Sequence, residues 1–289
     1  MERTEQYFYK LICWFGTNFP ENAFSTVVLA IITSCAGAYM GGRAAQIVSE
    51  RNKMMNNIVR EMRANNASIS LTFSIINTLL NMKEQYIKPL KESFDATKAE
   101  FEVAYVQKNT RYSSETPYTF PADLRTLEPP TVPIERLQKM LFEETSITGR
   151  PLTLVSFLAQ TIHLLSHSLS ARNNFINAMN AAPAEDKINL PFLYFGKRLT
   201  DGNVDERYPS LVAAIYKYTD DCIMFCKFLT EDLEKHGKDL TEKHKKRFGK
   251  HLPKVHKADF SIAENKRLLP DEADYESFKN SFKKHDEDA

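Results

Sequence analysis

The sequence predicts an all-α protein in which an N-terminal single-pass transmembrane helix is followed by a long helical stalk and a cytoplasmic helical bundle. Residues 23–42 contain no Asp, Glu, Lys or Arg, and an α-helix of that length crosses the ~30 Å hydrocarbon core of a bilayer. Glycine is scarce, with 9 in 289 residues, and apolar side chains recur at helical spacing along much of the chain. Both observations favour helices over strands.

Residues 1–20 predict an interfacial aromatic segment. Six aromatic side chains fall in a short stretch, a density typical of the headgroup layer of a membrane: Tyr7, Phe8, Tyr9, Trp14, Phe15 and Phe19. We expect a short helix here that ends near Pro20.

The transmembrane helix is predicted at residues 21–43. The small residues of this helix predict a packing surface. Gly37 and Gly41 form a G-x-x-x-G pair, with Ser34 and Ala38 beside it. Helices in lipid associate where small residues let their backbones approach closely, so we expect a homo-oligomer that assembles through this surface. The alternative is that these residues reflect the ordinary composition of membrane helices.

The charges that flank the apolar run predict its orientation. Five cations follow it, opposed by two carboxylates: Arg43, Arg51, Lys53, Arg60 and Arg63 against Glu50 and Glu61. By the positive-inside rule the C-terminal part is cytoplasmic, in the inner (plasma) membrane of a bacterium. The stretch 32–35 also resembles a lipoprotein signal ending, with Cys35 as the acylated residue. The long, nearly neutral segment before the run argues against that alternative.

The apolar pattern of residues 44–108 predicts a long helical stalk. Apolar residues recur every seven positions, at Val48, Met55, Met62, Ile69 and Ile76. This heptad pattern is typical of a coiled coil, in which Asn52 and Asn66 would fix the register. An ordinary amphipathic helix packed on its own domain is the alternative. Pro89 predicts a kink or a boundary.

The remaining chain divides into a linker, a helical domain and a tail. Residues 109–133 hold five prolines and predict a Pro-rich linker. Residues 134–257 predict a helical domain with helices at 134–144, 152–180 and 205–249, and a small hairpin around the Asp201-Gly202 turn. Residues 258–289 form a mixed-charge tail.

The helix after Pro151 raises the question of a second span, because residues 151–171 also lack Asp, Glu, Lys and Arg. Gln160, His163 and His167 would be costly against lipid, so we expect a helix buried in the bundle that gives these side chains partners. The two histidines have a spacing that metal ligands can have, but no further ligand accompanies them. Cys222 and Cys226 are expected to be core residues on one helical face.

The strongest polar feature is the basic segment 235–257. We call five of its cations the basic patch: Lys243, Lys245, Lys246, Arg247 and Lys250. A solvated helix end, attraction to anionic lipid and attraction to nucleic acid phosphate all explain such a segment. Nucleic acid is the least favoured, because only Phe248 interleaves the cations as a base-stacking platform.

No catalytic, cofactor-binding or metal motif is present in the sequence. Arg172 is followed by asparagines but not by the histidine of HEPN-type ribonucleases, so that activity is not expected. The sequence therefore predicts a membrane-anchored, self-associating scaffold, sensor or pore-like effector, with lipid and a protein partner of the cytoplasmic domain as its contacts. The alternative is a membrane-tethered enzyme or nucleic-acid-binding module that uses the basic segment 235–257.

Overall fold

A computed structural model describes residues 10, 14, 21–110, 122–183, 190–199, 202–249 and 253–286. These ranges are predominantly helical and contain no β-strand, which confirms the predicted helical class. The chain divides into two compact units, Met1–Val59 and Arg60–Ala289. The predicted interfacial segment lies outside the described residues, apart from Lys10 and Trp14.

Helix α1, Glu21–Met82, contains the predicted apolar run and continues beyond the end of the first unit. The long N-terminal apolar helix is thus confirmed as a helix. Within the first unit, most of the large apolar side chains whose burial is described are exposed, among them Leu29, Ile31, Ile32, Tyr39 and Met40.

A widened turn separates α1 from the next helix in the second unit. The π-helical turn Lys83–Ile87 is followed by α2, Lys88–Thr110. The backbone N–H of Lys88 donates to the carbonyl of Lys83, five residues earlier. Because Pro89 has no N–H, it cannot continue the regular hydrogen-bond ladder. The irregularity predicted at this proline therefore takes the form of a π-turn just before it.

The heptad positions of α1 divide between exposed and buried sites. Val48 is exposed, whereas Met62, Ile69 and Ile76 are buried within the second unit. For these three residues the ordinary amphipathic helix is the pattern observed. Asn66 hydrogen-bonds the backbone of residues 254 and 256 of the same chain, so its expected role in a coiled-coil register is wrong.

Three of the remaining described helices of the second unit lie where helices were predicted, and the other three were not predicted. They are α3 (Ile134–Glu143), α4 (Arg150–Ala181), α5 (Leu190–Phe195), α6 (Arg207–Phe248), α7 (Ser261–Asn265), a 3₁₀ turn (Glu272–Tyr275) and α8 (Glu276–Asp286). The predicted hairpin is wrong in its strands, since α5 occupies the first of them. An isolated antiparallel bridge between Arg198 and Val204 is what remains.

The main core lies between α4 and α6, with the C-terminal part of α1 against them. The buried face of α4 repeats every three or four residues, and so does that of α6. The side chains of this core include Leu154, Leu158, Leu165 and Leu169 of α4, Ile215, Cys222, Cys226, Leu229 and Leu233 of α6, and Ile69, Ile76 and Leu79 of α1. Helix α6 ends at Gly249, whose φ of +65° and N–H bond to Lys245 form a left-handed cap.

A second cluster is aromatic and joins α2, α5 and the start of α6. Phe94 and Phe101 of α2 pack against Tyr194, Phe195 and Tyr208. The Tyr194 and Tyr208 rings stack with centroids 4.5 Å apart. Burial raises the pKa of both phenols, so both stay neutral over the physiological range.

The C-terminal residues 253–286, which we call the clasp, pack across the second unit. Leu268 and Tyr275 belong to the main core, and Phe278 lies against the rings of Phe157, Phe225 and Phe228. Polar contacts add to this packing, because the Tyr275 hydroxyl donates to Asp221 at 2.7 Å. The described part of the mixed-charge tail is therefore folded onto the helices.

Candidate functional site

The predicted packing surface occupies one strip of α1 in the first unit. At 3.6 residues per turn, Ser34, Gly37, Ala38 and Gly41 fall within about 100° of arc. A Cβ atom added at Gly37 or at Gly41 would meet no atom within 4 Å apart from its chain neighbours and the backbone of its own helix. The strip is thus an open helix surface, and its role in packing stays a prediction.

The side chains around the strip form an apolar and exposed surface. Leu29 is 62% exposed, Ile31 57% and Ile32 58%. The hydroxyl of Thr33 donates to the carbonyl of Leu29 at 2.8 Å, so this polar group is satisfied inside its own helix. Such internal pairing is what a helix surrounded by hydrocarbon requires.

Two helical stretches are long and apolar enough to cross a membrane, judged by length and composition: Thr26–Tyr105 and Arg150–Ala181. The apolar window is 0% buried in the first stretch and 44% buried in the second. Signal sequences and core helices of soluble proteins have similar compositions. The partial burial of the second stretch matches its position in the main core.

The polar residues at positions 160, 163 and 167 of α4 do not lie inside the bundle as predicted. Gln160, His163 and His167 are exposed on the outer face of the helix, so the expectation that they have partners inside the bundle is wrong. Cys222 and Cys226 are buried with free thiols, as expected of core residues, and burial raises the pKa of both. Among the described residues, no group of three or more His, Cys, Asp or Glu is placed to hold a metal ion.

The basic patch lies on the last turns of α6. Lys243, Lys245, Lys246 and Arg247 are exposed there, and Lys250 lies outside the described residues. His244 of the same segment is buried and lies 5.1 Å from the ring of Phe248. Three of these cations occupy the last helical turn, where they interact favourably with the helix dipole. The outward side chains also leave the patch open to an anionic surface.

Arg172 and Asn173 hold the extended segment 122–133 against α4. The Arg172 side chain is fully buried and donates to the carbonyls of Arg125 at 2.8 Å and Asp123 at 3.1 Å. The Asn173 amide pairs with both backbone groups of Leu127. This structural role was not visible in the sequence, because the partners are 46 to 49 residues away. These hydrogen bonds account for the buried position of Arg172 without a catalytic role.

A cavity of about 750 Å³ opens between the end of α4, α5 and the first turns of α6. Its lining is mainly apolar, with Phe175, Met179, Leu193 and Leu211 among its residues. Arg207 lies at this cavity but is paired with Asp205 at 2.5 Å. The site therefore suits an apolar group and offers no free cation at this arginine.

Comparisons of the chain with protein-family models, with curated proteins and with solved structures found no match. Function is therefore inferred from this chain's own residues.

Proposed function

We propose that residues 21–43 cross the inner (plasma) membrane once and that the chain is a membrane-anchored, self-associating helical protein. It would act as a scaffold, a sensor or a pore-like effector with a cytoplasmic helical domain. The observation that supports this most is the exposure of the apolar run from residue 26 to residue 42, since the apolar window of this helix is 0% buried. Each Leu or Ile side chain left in water forgoes roughly 1.5–3 kcal/mol of burial free energy, and lipid removes that deficit.

Self-association is supported by the strip of small residues on the same helix. Two copies can approach closely at Gly37 and Gly41. No side chain of the same chain lies within 4 Å of the position that a Cβ atom would take at either glycine. Cations after the run support a cytoplasmic second unit.

Topology is tested by cysteine labelling in cells. Lys10→Cys and Lys53→Cys would be made in a chain whose two N-terminal cysteines are serine; Cys222 and Cys226 are buried and stay unlabelled in the folded protein. In spheroplasts, an impermeant maleimide should label position 10, and it should reach position 53 only after lysis. Labelling of both positions in intact spheroplasts, or recovery of the chain in the soluble fraction, would refute a single span with this orientation.

Assembly is tested by native mass spectrometry of the full chain in detergent. Gly37→Ile and Gly41→Ile should dissociate the oligomer, since a β-branched side chain prevents close backbone approach. Ala36→Ile is the matched control, because it adds the same side chain on the opposite side of α1. Equal oligomers in all variants would remove the packing role of the strip.

The exposed cations of α6 favour a second candidate, a membrane-tethered enzyme or nucleic-acid-binding module. Lys243, Lys245 and Lys246 all face solvent and can reach phosphate. Charge reversal of the basic patch should then abolish function while the oligomer stays intact. An unchanged activity would exclude this candidate.

A further inference from the structure

A pocket of about 550 Å³ lies where α1, α3 and the first residues of the clasp meet. Its lining residues are Arg63, Asn66, Ala67, Ser70 and Leu71 of α1, Arg136 and Met140 of α3, and His256 of the clasp. No acidic residue is among them. In a chain with 38 Lys or Arg and 37 Asp or Glu, this lining is a local excess of positive charge.

The two arginines of the pocket differ from three other arginines of the unit. Arg125, Arg150 and Arg207 each form a salt bridge with an aspartate. Arg63 and Arg136 are exposed and form no salt bridge with any carboxylate in the described ranges. Two guanidinium groups that share a pocket without a carboxylate repel each other, and a bound anion would relieve this repulsion.

Helix geometry brings these groups to one place. Arg63, Ala67 and Ser70 are separated by four and three residues, so they lie on one face of α1. Arg136 and Met140 are one turn apart on α3. The two helices thus contribute one arginine each, and the small side chain of Ala67 leaves room between them.

The clasp supplies His256 in a fixed position. The buried Asn66 amide donates to the Lys254 carbonyl at 3.0 Å, and its oxygen accepts from the His256 backbone N–H at 3.0 Å. The Ser70 hydroxyl donates to the Asn66 carbonyl and lies 3.2 Å from His256 Nδ1. Because the Ser70 proton goes to the Asn66 carbonyl, the His256 Nδ1–H donates to Ser70 Oγ, and Nε2 is the ring nitrogen left for a ligand; Nε2 donates to an anion in the imidazolium form of the ring.

We propose that this pocket binds a phosphate monoester or diphosphate group. The planar guanidinium matches phosphate oxygens in a two-bond geometry, and two of them with an imidazole form a typical phosphate-binding set. The volume exceeds that of a phosphate alone and falls in the range of small-molecule sites. Ala67, Leu71 and Met140 give the organic part of the ligand an apolar contact. This site does not depend on whether α1 crosses a membrane.

The ligand is either a soluble phosphorylated metabolite or a phosphorylated lipid headgroup. Isothermal titration calorimetry of the full chain in a non-ionic detergent would use pyrophosphate and dihexanoyl phosphatidic acid as separate probes. Saturable binding of either probe supports the site. Tighter binding of pyrophosphate assigns the soluble source, and tighter binding of phosphatidic acid assigns the lipid.

Variants separate the pocket from general surface charge. Arg63→Gln and Arg136→Gln should each weaken binding roughly tenfold or more, because each removes charge-assisted hydrogen bonds to the ligand. The control Arg60→Gln with Lys139→Gln removes one cation from each of the same helices, each three residues from the pocket arginine of that helix, and should keep the wild-type affinity within about threefold, because neither side chain lines the pocket. Absence of saturable binding to both probes, or equal losses in pocket and control variants, would overturn the proposal.

Discussion

Lys83→Met is expected to loosen the clasp, because Lys83 links it to the buried interior. The Lys83 side chain is 2% exposed, lies 2.5 Å from Asp220 Oδ1 and donates to the Leu268 carbonyl at 2.8 Å. Burial raises the pKa of the Asp220 carboxyl, and Lys83 opposes that effect. Breaking one partner of a buried ion pair costs about 3–5 kcal/mol. Since the Asp220 side chain is 17% exposed, water partly solvates it, and we expect the lower value.

A loss of about 3 kcal/mol lowers the Tm of a domain of this size by roughly 6–12 °C. Circular dichroism melts of the full chain in detergent would measure the shift. Lys266→Met is the matched control: its pair with Glu84 joins the clasp to the same π-turn at 2.7 Å, but the two side chains are 50% and 40% exposed. An exposed pair contributes about 0–1 kcal/mol, a shift below roughly 4 °C. Equal shifts in the two variants would refute the role of the buried pair.

Three other outcomes are expected. Gly237→Ala should lower the Tm by an overpacking cost of about 1–3 kcal/mol, because its Cβ would lie 2.8 Å from both Asn65 Nδ2 and Val255 Cγ1; Gly42→Ala, with nothing within 4 Å, should not lower it. Hydrogen bonds from two lysines lower the pKa of Glu272 to about 2. The stabilising effect of the ionised Glu272 carboxylate is therefore present above about pH 4.5 and is lost as the pH falls towards 2. As the pH is lowered through this range, the Tm of Glu272→Gln should fall less steeply than that of the wild type. Charge reversal at the four described cations of the basic patch should leave the oligomer size in native mass spectrometry unchanged, and a changed size would contradict assembly through α1.

The helices could be predicted from the sequence because local signals mark them. Pro151 stands in the first turn of α4 and Gly249 caps α6, and the periodic apolar residues between such signals set the helical faces. The observed α4 and α6 begin and end within two residues of the predicted positions. The helix α5 was missed because a six-residue helix carries too little periodic pattern to distinguish it from a strand.

The pocket could not be predicted, because its parts are distant in the sequence. Asn66 meets the backbone of residue 256 across 190 positions, and the heptad spacing of α1 offered a local but wrong explanation for this asparagine. Similarly, the exposed histidines of α4 occupy a face without Asp, Glu, Lys or Arg, which resembles a buried face in a single sequence. Burial depends on the packing partner, and one sequence does not specify that partner.

Phosphate binding and docking of the clasp are thermodynamically linked in this arrangement. His256 reaches the pocket only while Asn66 holds residues 254–256, so a ligand that contacts His256 binds the docked state more tightly than the undocked one, which keeps only Arg63 and Arg136. At a ligand concentration of about 100 Kd, this preference stabilises the docked state by at most roughly 2.7 kcal/mol, a factor of up to about 100 in the undocked population. Amide hydrogen exchange at residues 254–258 should slow with ligand by up to that factor, whereas exchange in residues 26–59 should not change. Equal slowing in both regions would show that the ligand does not act through the clasp.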